Sequence, residues 1–481
     1  MGTQVETKDA VTADYISRLD AVFFAQKKNQ HAIRQTTAEQ RIAKLEKLKQ
    51  IILKYKEEIA ESGYADFQRP RVMNYIYEVG LMLSHIDYNV AHLTEWVKKE
   101  SVQLVSGGAE AAEIIYEPKG VVLIIGPWNV PFALTLYPLV SVIAAGNTAI
   151  IKPSELTPKN SSIIRKVIGE CFPEDEIAVV EGGISETTEI LKRPFDHIYF
   201  TGSPKVAKVV MKAAAENLAS VTLELGGKAP AIVHESADLD KAAYRIVNFK
   251  QQNAGQICMN SDYVLIPAHL QSAFIEKARE YLNDAFCASG EFNYDDYPQI
   301  INQANYNRIK RLFDDAVEKG AHVAVGGVFE DDLRKIQPTI LTNVPVDADL
   351  MKEEIFGPLL PVFNYSTEED AVSFVRKLEK PLTVYIFSED KAFTEYVLNN
   401  TTSGGATVND VLLQSLFPEL PMGGVNQSGI GKGFGKAGFM ELSNAKGVVY
   451  QSPDAPKEQF LSPPYAGKAE LVAAQFGNLK N

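Results

Sequence analysis

Cys258 is a candidate nucleophile in this sequence. It is one of three cysteines, with Cys171 and Cys287, and it closes a short segment that contains Gly255. A thiolate is a strong nucleophile, which would suit Cys258 to covalent catalysis. The competing interpretation is a buried structural thiol, the commoner fate of a free cysteine. Cys171 and Cys287 fall at predicted helix ends among ordinary residues, and we expect them to be inert.

Two further polar residues lie where chemistry is expected. Glu224 lies within the apolar run Leu223-Glu-Leu-Gly-Gly-Lys, where a carboxylate needs either a partner or a function. It is either paired with Lys228 or a general base whose pKa is raised by burial. Asn129 directly follows an apolar strand. It is either a turn residue or an amide donor for a developing oxyanion.

Other residues suit a nucleotide ligand. Lys152 and Glu155 follow the next predicted strand, where the carboxylate could accept ribose hydroxyls. No Gly-x-Gly-x-x-Gly sequence joins a strand to a helix, and we discount the downstream Gly431-Lys-Gly-Phe-Gly. Gly202 and Ser203 open a helix after a strand, a suitable place for a pyrophosphate. The seven histidines are scattered without metal-ligand spacing, so we expect no metal site.

The chain alternates predicted strands and helices from Gly120 onward. This pattern favours an α/β fold with a doubly wound parallel sheet, followed by a second α/β domain. Residues 13–62 and 71–98 are predicted to be helical, and 418–438 to be a long ordered loop. The predicted strands of the first series are 121–125, 148–151, 177–180 and 198–200, and those of the second are 221–225, 231–233, 264–266, 323–325, 384–387 and 407–408.

Composition limits the class of protein. The chain has 481 residues, 46% hydrophobic and 23% charged, with a net charge of −13. These values fit a globular protein of about two to four domains, and the acidic charge disfavours nucleic acid as the main partner. Three cysteines fit a reducing compartment, so we expect a cytoplasmic location. The longest apolar stretch, 121–151, is broken by prolines, so we expect no membrane span.

Taken together, the motifs resemble the aldehyde dehydrogenase superfamily over nearly the whole chain. The matching segments, in the family's order, are Gly126-Pro-Trp-Asn-Val-Pro-Phe132, Lys152-Pro-Ser-Glu155, Phe200-Thr-Gly-Ser203, Leu223-Glu-Leu-Gly-Gly-Lys228, Gly255-Gln-Ile-Cys258, Glu353-Glu-Ile-Phe-Gly-Pro358 and Pro421-Met-Gly-Gly-Val-Asn-Gln-Ser-Gly429. The chain is most similar to the class 3 branch of fatty and aromatic aldehyde dehydrogenases, on Asp262-Tyr263 and Ser462-Pro-Pro-Tyr465. It departs from that branch at Met259-Asn260-Ser261, Pro204, Ala207 and Asn426, which affects substrate fit and cofactor preference.

The resemblance implies a mechanism and a set of roles. Cys258 would attack the aldehyde, Asn129 would stabilise the oxyanion, and Glu224 would activate the water that hydrolyses a thioester. Apolar residues expected near the site, such as Leu134 and Trp128, favour medium- or long-chain aliphatic or aromatic aldehydes as substrates. The cofactor would be NAD by preference, with NADP also accepted. The cofactor-binding residues would be Trp128, Lys152, Glu155, Gly202, Ser203, Leu225, Glu354 and Phe356.

The family fold implies two parallel-sheet α/β domains, one of Rossmann type, and a small β bridging element that makes a homodimer. Residues 1–98 and 120–223 would form the NAD-binding domain and 224–412 the catalytic domain. Residues 99–119 and 413–465 would form the bridging element and C-terminal segment, followed by a tail at 466–481. Two alternatives are a CoA-acylating aldehyde dehydrogenase, which would not need Glu224, and a catalytically silent structural homologue.

Overall fold

A computed structural model describes residues 11–104, 109–455 and 462–475. Its α-helices are α1 Ala13–Arg34, α2 Ala38–Lys54, α3 Lys56–Phe67, α4 Arg71–Asn74, α5 Leu81–Trp96, α6 Pro131–Ala145, α7 Pro158–Cys171, α8 Ile184–Ile190, α9 Pro204–Ala215, α10 Leu239–Gln251, α11 Ala268–Phe286, α12 Gln303–Glu318, α13 Asp349–Lys352, α14 Glu368–Lys377, α15 Lys391–Asn400, α16 Gly435–Glu441 and α17 Ala469–Gln475. A π-helix, Tyr75–Gly80, connects α4 to α5, and short 3₁₀ helices span Gln252–Gly255 and Leu413–Leu416. None of the described helices is long and apolar enough to cross a membrane.

The strands form two large sheets and two small ones. They are β1 Glu100–Ser101, β2 Ala111–Pro118, β3 Val121–Ile125, β4 Thr148–Lys152, β5 Ile177–Val179, β6 His197–Thr201, β7 Ser220–Glu224, β8 Ala229–Val233, β9 Ser261–Pro267, β10 His322–Val325, β11 Phe329–Glu330, β12 Lys335–Ile336, β13 Thr339–Thr342, β14 Leu359–Tyr365, β15 Thr383–Phe387, β16 Gly405–Val408, β17 Gly429–Ile430 and β18 Ser443–Tyr450.

The first large sheet has the strand order β17-β7-β6-β3-β4-β5. Its strands are parallel except for β17, which pairs antiparallel with β7. The strand order reverses at β3. From β3 the chain first adds β4 and β5 on one side, and it then returns to add β6 and β7 on the other side. Such a switch point opens a crevice at the carboxyl ends of the strands, where ligands bind in doubly wound folds.

The second large sheet has the order β10-β13-β14-β9-β8-β15-β16. It is parallel apart from the antiparallel pair β10 and β13. The strands β13 and β14, which lie between β10 and β9 in this sheet, are not predicted from the sequence. Pro361 lies inside β14, opposite Leu341, and an internal proline argues against a central strand when only the sequence is read.

One strand that was predicted for the second domain belongs to the first sheet. The run 221–225 was placed at the start of the second series, and this placement is wrong, because β7 pairs in parallel with β6 in the first sheet. The predicted loop 418–438 is also partly wrong, since it contains β17 and the first residues of α16. Alternation of strands and helices does not tell which sheet a strand joins, because strand pairing is a long-range contact.

The chain divides into two compact units. The larger comprises Met1–Val97 and Glu117–Asn444 and holds both large sheets. The smaller comprises Lys98–Tyr116 and Ala445–Asn481. It contains most of a three-stranded sheet of order β1-β2-β18, in which β18 is an edge strand.

Candidate active site

The Cys258 thiol lies just beyond a turn of unusual backbone conformation. After α10, Asn253 and Ala254 have φ angles of 51° and 50°, and Gly255 has a φ of 75°. Left-handed conformations at non-glycine residues are strained and cluster at functional sites. A Cβ on Gly255 would lie 2.2 Å from the carbonyl oxygen of Gly357, so only glycine permits this close approach. The turn leaves Cys258 half-buried.

Asn129 is joined to the Cys258 loop by two hydrogen bonds. Its Nδ2 donates to the Gln256 carbonyl oxygen at 3.1 Å, and Asn253 Nδ2 donates to the Asn129 carbonyl oxygen at 3.0 Å. The bond to Gln256 uses one of the two hydrogens on the Asn129 amide nitrogen and fixes the plane of that amide. The second hydrogen suits a donor to an oxyanion formed at Cys258.

Glu224 is the last residue of β7, and its side chain is half-buried. The Tyr199 hydroxyl donates to Glu224 Oε1 at 3.5 Å. Burial raises the pKa of Glu224 to about 8, against the opposing influence of Lys432 and Tyr199. The alternative pairing with Lys228 is wrong, because the Lys228 ammonium instead binds Asp262 and the carbonyl oxygen of Leu350. A carboxyl group with a pKa near neutral is suited to general base catalysis.

Cys258, Glu224 and Glu354 form one electrostatic cluster. Burial raises the pKa of the Cys258 thiol to about 12, and the nearby carboxylates of Glu354 and Glu224 raise it further. Burial also raises the pKa of Glu354 to about 8. The Glu354 carboxylate rests against the backbone of the Leu-Gly-Gly segment, where a Cβ on Gly226 would lie 2.1 Å from Glu354 Oε2. The cluster therefore favours a neutral thiol unless positive charge is brought beside it.

Sequence analysis did not predict the residues that hold the Glu354 segment. Arg308 donates to the carbonyl oxygens of Glu354 and Ile355 at 3.1 and 2.7 Å. Asp262 accepts from the Ile355 amide at 3.1 Å and pairs with Lys228. The only signal in the sequence was that Asp262 and Lys228 fall within or beside the matching motifs. Arg308 carries no local signal, because its partners lie on a distant segment of the chain.

Phe356 and Trp128 form an aromatic contact beside this cluster. Their ring centroids are 5.2 Å apart in an edge-to-face arrangement. Phe356 has a φ of 45°, another strained backbone position near the thiol. Both side chains are half-buried, and they offer apolar surface to a flat ring or an aldehyde chain.

Six of the eight predicted cofactor residues lie at or just after the carboxyl ends of strands around the switch point, whereas Glu354 and Phe356 lie between α13 and β14. The Lys152 ammonium, at the end of β4, binds Glu155 Oε2 at 2.5 Å. Gly202 and Ser203 follow β6, on the other side of β3, and Ser203 Oγ accepts from the Val206 amide as the N-cap of α9. Leu225 is buried and pairs through its backbone with Ser428. This arrangement fits a dinucleotide, with a carboxylate and a lysine for a ribose and a helix N-terminus for phosphate.

A buried ion pair supports the Asn129 loop. The side chain of Arg69 is fully buried; it donates to the Asn129 carbonyl oxygen at 3.0 Å and pairs with Glu78. Glu78 Oε2 in turn accepts from the Ala133 amide at the start of α6 at 2.9 Å. The pair therefore links the π-helix to the loop that carries Asn129.

Arg69→Met should lower the free energy of unfolding by about 3–5 kcal/mol, because it leaves the Glu78 carboxylate buried and unpaired. The matched control is Arg71→Met, which removes an ion pair with Glu61 whose side chains are 51% and 54% exposed. That change should cost no more than about 1 kcal/mol. Urea-induced unfolding followed by circular dichroism measures both. Equal losses in the two variants would contradict a supporting role for the buried pair.

Comparison with known proteins identifies the family. The aldehyde dehydrogenase family profile matches residues 5–448. The 4,4'-diaponeurosporen-aldehyde dehydrogenase of Staphylococcus aureus is 40% identical over 90% of this chain and 94% of its own length. The aldehyde dehydrogenase family 3 member A2 of Mus musculus is 38% identical over 92% and 90%. A coniferyl aldehyde dehydrogenase of Pseudomonas is 38% identical over 89% of each chain.

Solved structures agree with this assignment. The substrate-bound structure of Staphylococcus aureus AldH superposes with a TM-score of 0.88 at 38% identity, over 95% of this chain and 99% of that one. Betaine aldehyde dehydrogenase of Staphylococcus aureus in complex with NAD⁺ superposes with a TM-score of 0.83 at 26% identity, over 92% and 89%. The chain belongs to the aldehyde dehydrogenase family and is an NAD(P)-dependent oxidoreductase that acts on aldehydes. The predicted α/β fold and the likeness to the class 3 branch are confirmed.

Proposed function

We propose that the chain oxidises aldehydes to carboxylic acids through a thiohemiacetal and a thioester on Cys258, and that Glu224 activates the hydrolytic water. The observation that carries this proposal is that the Asn129 amide is hydrogen-bonded to the Cys258 loop. The Glu224 carboxylate also lies close enough to the Cys258 thiol to contribute to raising its pKa. These groups supply the nucleophile, the general base and the oxyanion donor of one acyl-transfer site.

Residues of this chain carry each step of the proposed reaction. With the positive charge of the bound cofactor beside it, the Cys258 thiol would lose its proton to solvent. The thiolate sulfur then forms a bond to the aldehyde carbon, and the Asn129 amide donates to the resulting oxyanion. A bound NAD(P)⁺ would supply positive charge and a hydride acceptor, and loss of a hydride from the oxyanion adduct on Cys258 gives the thioester. The Glu224 carboxylate then takes a proton from water as the water oxygen bonds to the thioester carbon. Cleavage of the carbon–sulfur bond releases the carboxylic acid and returns the Cys258 thiolate, and Glu224 then loses its proton to solvent.

Cofactor binding would use the residues at the switch point. Lys152 and Glu155 would hold the adenosine ribose, Gly202 and Ser203 would lie at the pyrophosphate, and Glu354 would hold the nicotinamide ribose, with Trp128, Leu225 and Phe356 packing nearby. Glu155 is exposed and carries a negative charge beside the ribose position. A carboxylate there favours a 2′-hydroxyl over a 2′-phosphate, so we propose NAD as the preferred cofactor and NADP as a second one.

The proposed substrates are medium- or long-chain aliphatic aldehydes or aromatic aldehydes. The half-buried Trp128 and Leu134 offer apolar surface near the site. The names of two relatives, a 4,4'-diaponeurosporen-aldehyde dehydrogenase and a coniferyl aldehyde dehydrogenase, specify a long-chain and an aromatic aldehyde for those proteins.

A substrate panel tests this proposal. Reduced-cofactor formation is measured with acetaldehyde, hexanal, decanal and benzaldehyde, with NAD or NADP, and with or without CoA. We expect turnover without CoA, a higher kcat/KM for hexanal, decanal and benzaldehyde than for acetaldehyde, and a higher kcat/KM with NAD. Turnover only with CoA would assign the chain to the acylating class. No turnover with any aldehyde would favour a catalytically silent homologue.

We further propose that the protein is cytoplasmic. We also propose that it forms a homodimer in which β18 of one copy pairs with a sheet of the other copy. The edge strand β18 is largely exposed, including Val449 at 65%. Exposed strand edges are templates for pairing with a second chain. Light scattering should report a dimer for the full chain and a monomer after truncation at Asn444.

A further inference from the structure

Cys258 lies within a tight turn between the 3₁₀ helix that follows α10 and strand β9. The Asn260 amide donates to the Ile257 carbonyl oxygen at 2.9 Å, so Cys258 and Met259 are the two central residues of a β-turn. Ser261 follows directly and is the first residue of β9. The direction of the Cys258 side chain therefore depends on how the peptide groups of this turn are held.

Tyr385 holds the peptide group that closes the turn. Its hydroxyl donates to the Met259 carbonyl oxygen, which belongs to the same peptide group as the Asn260 amide. This one peptide group is thus hydrogen-bonded at both ends, to Tyr385 and to Ile257. Met259 and Tyr385 are both buried, and a buried carbonyl without a partner is costly. Loss of the hydroxyl would therefore favour rotation of this peptide group.

The Tyr385 side chain comes from a rigid part of the catalytic sheet. Tyr385 is the third residue of β15, and in the parallel register it is opposite Ala231 of β8 on one side and Thr407 of β16 on the other. A side chain on a strand that is paired on both sides positions a site more precisely than one on a loop. The Tyr385 hydroxyl is therefore a fixed anchor for the Cys258 turn.

Asn260 supplies a second anchor, to the last turn of α10. Its Nδ2 donates to the carbonyl oxygens of Phe249 and Lys250 at 2.9 and 3.3 Å. The Lys250 ammonium donates in turn to the Ser261 carbonyl oxygen at 2.9 Å, which ties the same helix end to the start of β9. Asn260 is one of the positions at which the chain departs from the class 3 branch, so this anchor does not follow from the resemblance to that branch.

We propose that Tyr385 and Asn260 are positioning residues, which together fix the Cys258 turn so that the sulfur attacks the aldehyde with the oxyanion at the Asn129 amide. This inference rests on the proposed function, in which Cys258 is the nucleophile. The N-terminal side of the turn is held to Asn129, because the Gln256 carbonyl oxygen accepts from the Asn129 side chain. Tyr385 and Asn260 hold the C-terminal side, and both act through the backbone of the turn.

The test uses Tyr385→Phe and Asn260→Ala in the full-length enzyme, mixed in excess over hexanal at saturating NAD. Reduced-cofactor absorbance then measures a single turnover through hydride transfer, whatever the rate of thioester hydrolysis. We expect this rate to fall by about 10–100-fold in each variant, because displacement of a reacting group by about 1 Å can cost about 10²-fold. Alkylation of Cys258 by iodoacetamide should stay close to the wild-type rate, since it needs an accessible thiolate but no oxyanion donor. NAD affinity by calorimetry should also be unchanged.

Tyr297→Phe is the matched control, because Tyr297 is a fully buried tyrosine of the catalytic core whose hydroxyl has no hydrogen-bond partner among the described residues. It should transfer hydride at the wild-type rate. Thermal melting identifies any variant that does not fold, and the remaining site variant then decides the test.

The inference is overturned if the folded site variants transfer hydride at the wild-type rate, or if alkylation of Cys258 falls as far as hydride transfer does. Failure of the proposed function would look different, since Cys258→Ala would then reduce the cofactor at the wild-type rate.

Discussion

Cys258→Ala is expected to lower kcat/KM for aldehyde oxidation by at least about 10⁴-fold, the scale seen when a covalent nucleophile is removed. The reason is that no other thiol is placed to replace it. Cys171 is buried at the end of α7, and Cys287 follows α11. Reduced-cofactor formation at saturating NAD and hexanal measures the loss, and the mass of the quenched enzyme should show no acyl adduct.

Cys287→Ala is the matched control for this prediction, because Cys287 is also half-buried but lies outside the site. It should retain wild-type kcat/KM and wild-type acylation of Cys258. Both alanine variants should bind NAD with unchanged affinity by calorimetry, which separates loss of chemistry from loss of fold. Substantial turnover by Cys258→Ala would require a different nucleophile and would overturn the proposed mechanism.

Glu224→Gln is expected to slow hydrolysis of the thioester by about 10²–10⁴-fold, the usual contribution of a general base. Glutamine keeps the size of the side chain but cannot take a proton from water. The acyl-enzyme should therefore accumulate, and a rapid burst of about one reduced cofactor per site should precede a slow steady state. Stopped-flow absorbance measures the burst, and intact mass measures the adduct on Cys258.

Glu330→Gln is the control, since Glu330 is a half-buried glutamate in β11 that binds the Tyr294 hydroxyl at 3.0 Å, away from the site. It should show neither a burst nor slowed hydrolysis. The absence of a burst in Glu224→Gln, together with wild-type turnover, would remove Glu224 from the hydrolytic step.

The pH dependence of acyl-group loss gives a second test of the role of Glu224. Burial raises the pKa of Glu224 to about 8, and only the ionised carboxylate can accept a proton. Acyl-group loss in wild type should therefore increase with pH through this region, and the increase should be missing in Glu224→Gln. Because Glu224, Glu354 and Cys258 interact, the apparent pKa belongs to the cluster. The difference between wild type and variant isolates the contribution of Glu224.

Much of the first sheet could be predicted because its signals are local. The apolar run of β3 and the Ser203-Pro204 start of α9 are set by neighbouring residues, and the structure places both as expected. The central strand β14 was missed because Pro361 and Pro358 interrupt its signal. Its place depends on pairing with β13 and β9, segments that the sequence alone does not bring together.

In the candidate site, too, some features follow from the sequence and others from long-range contacts. The sequence by itself determined which residue types are available for chemistry, Cys258, Glu224 and Asn129, and the ordered motifs that define the family. Only the tertiary structure decided their partners. Lys228 is four residues from Glu224 but binds Asp262, whereas Tyr199 lies 25 residues away and donates to it. Glu441 reaches Thr222 across 219 residues. The physical reason is that pKa values and hydrogen-bond partners depend on burial and on through-space neighbours, which the packing of the two sheets and of α16 supplies.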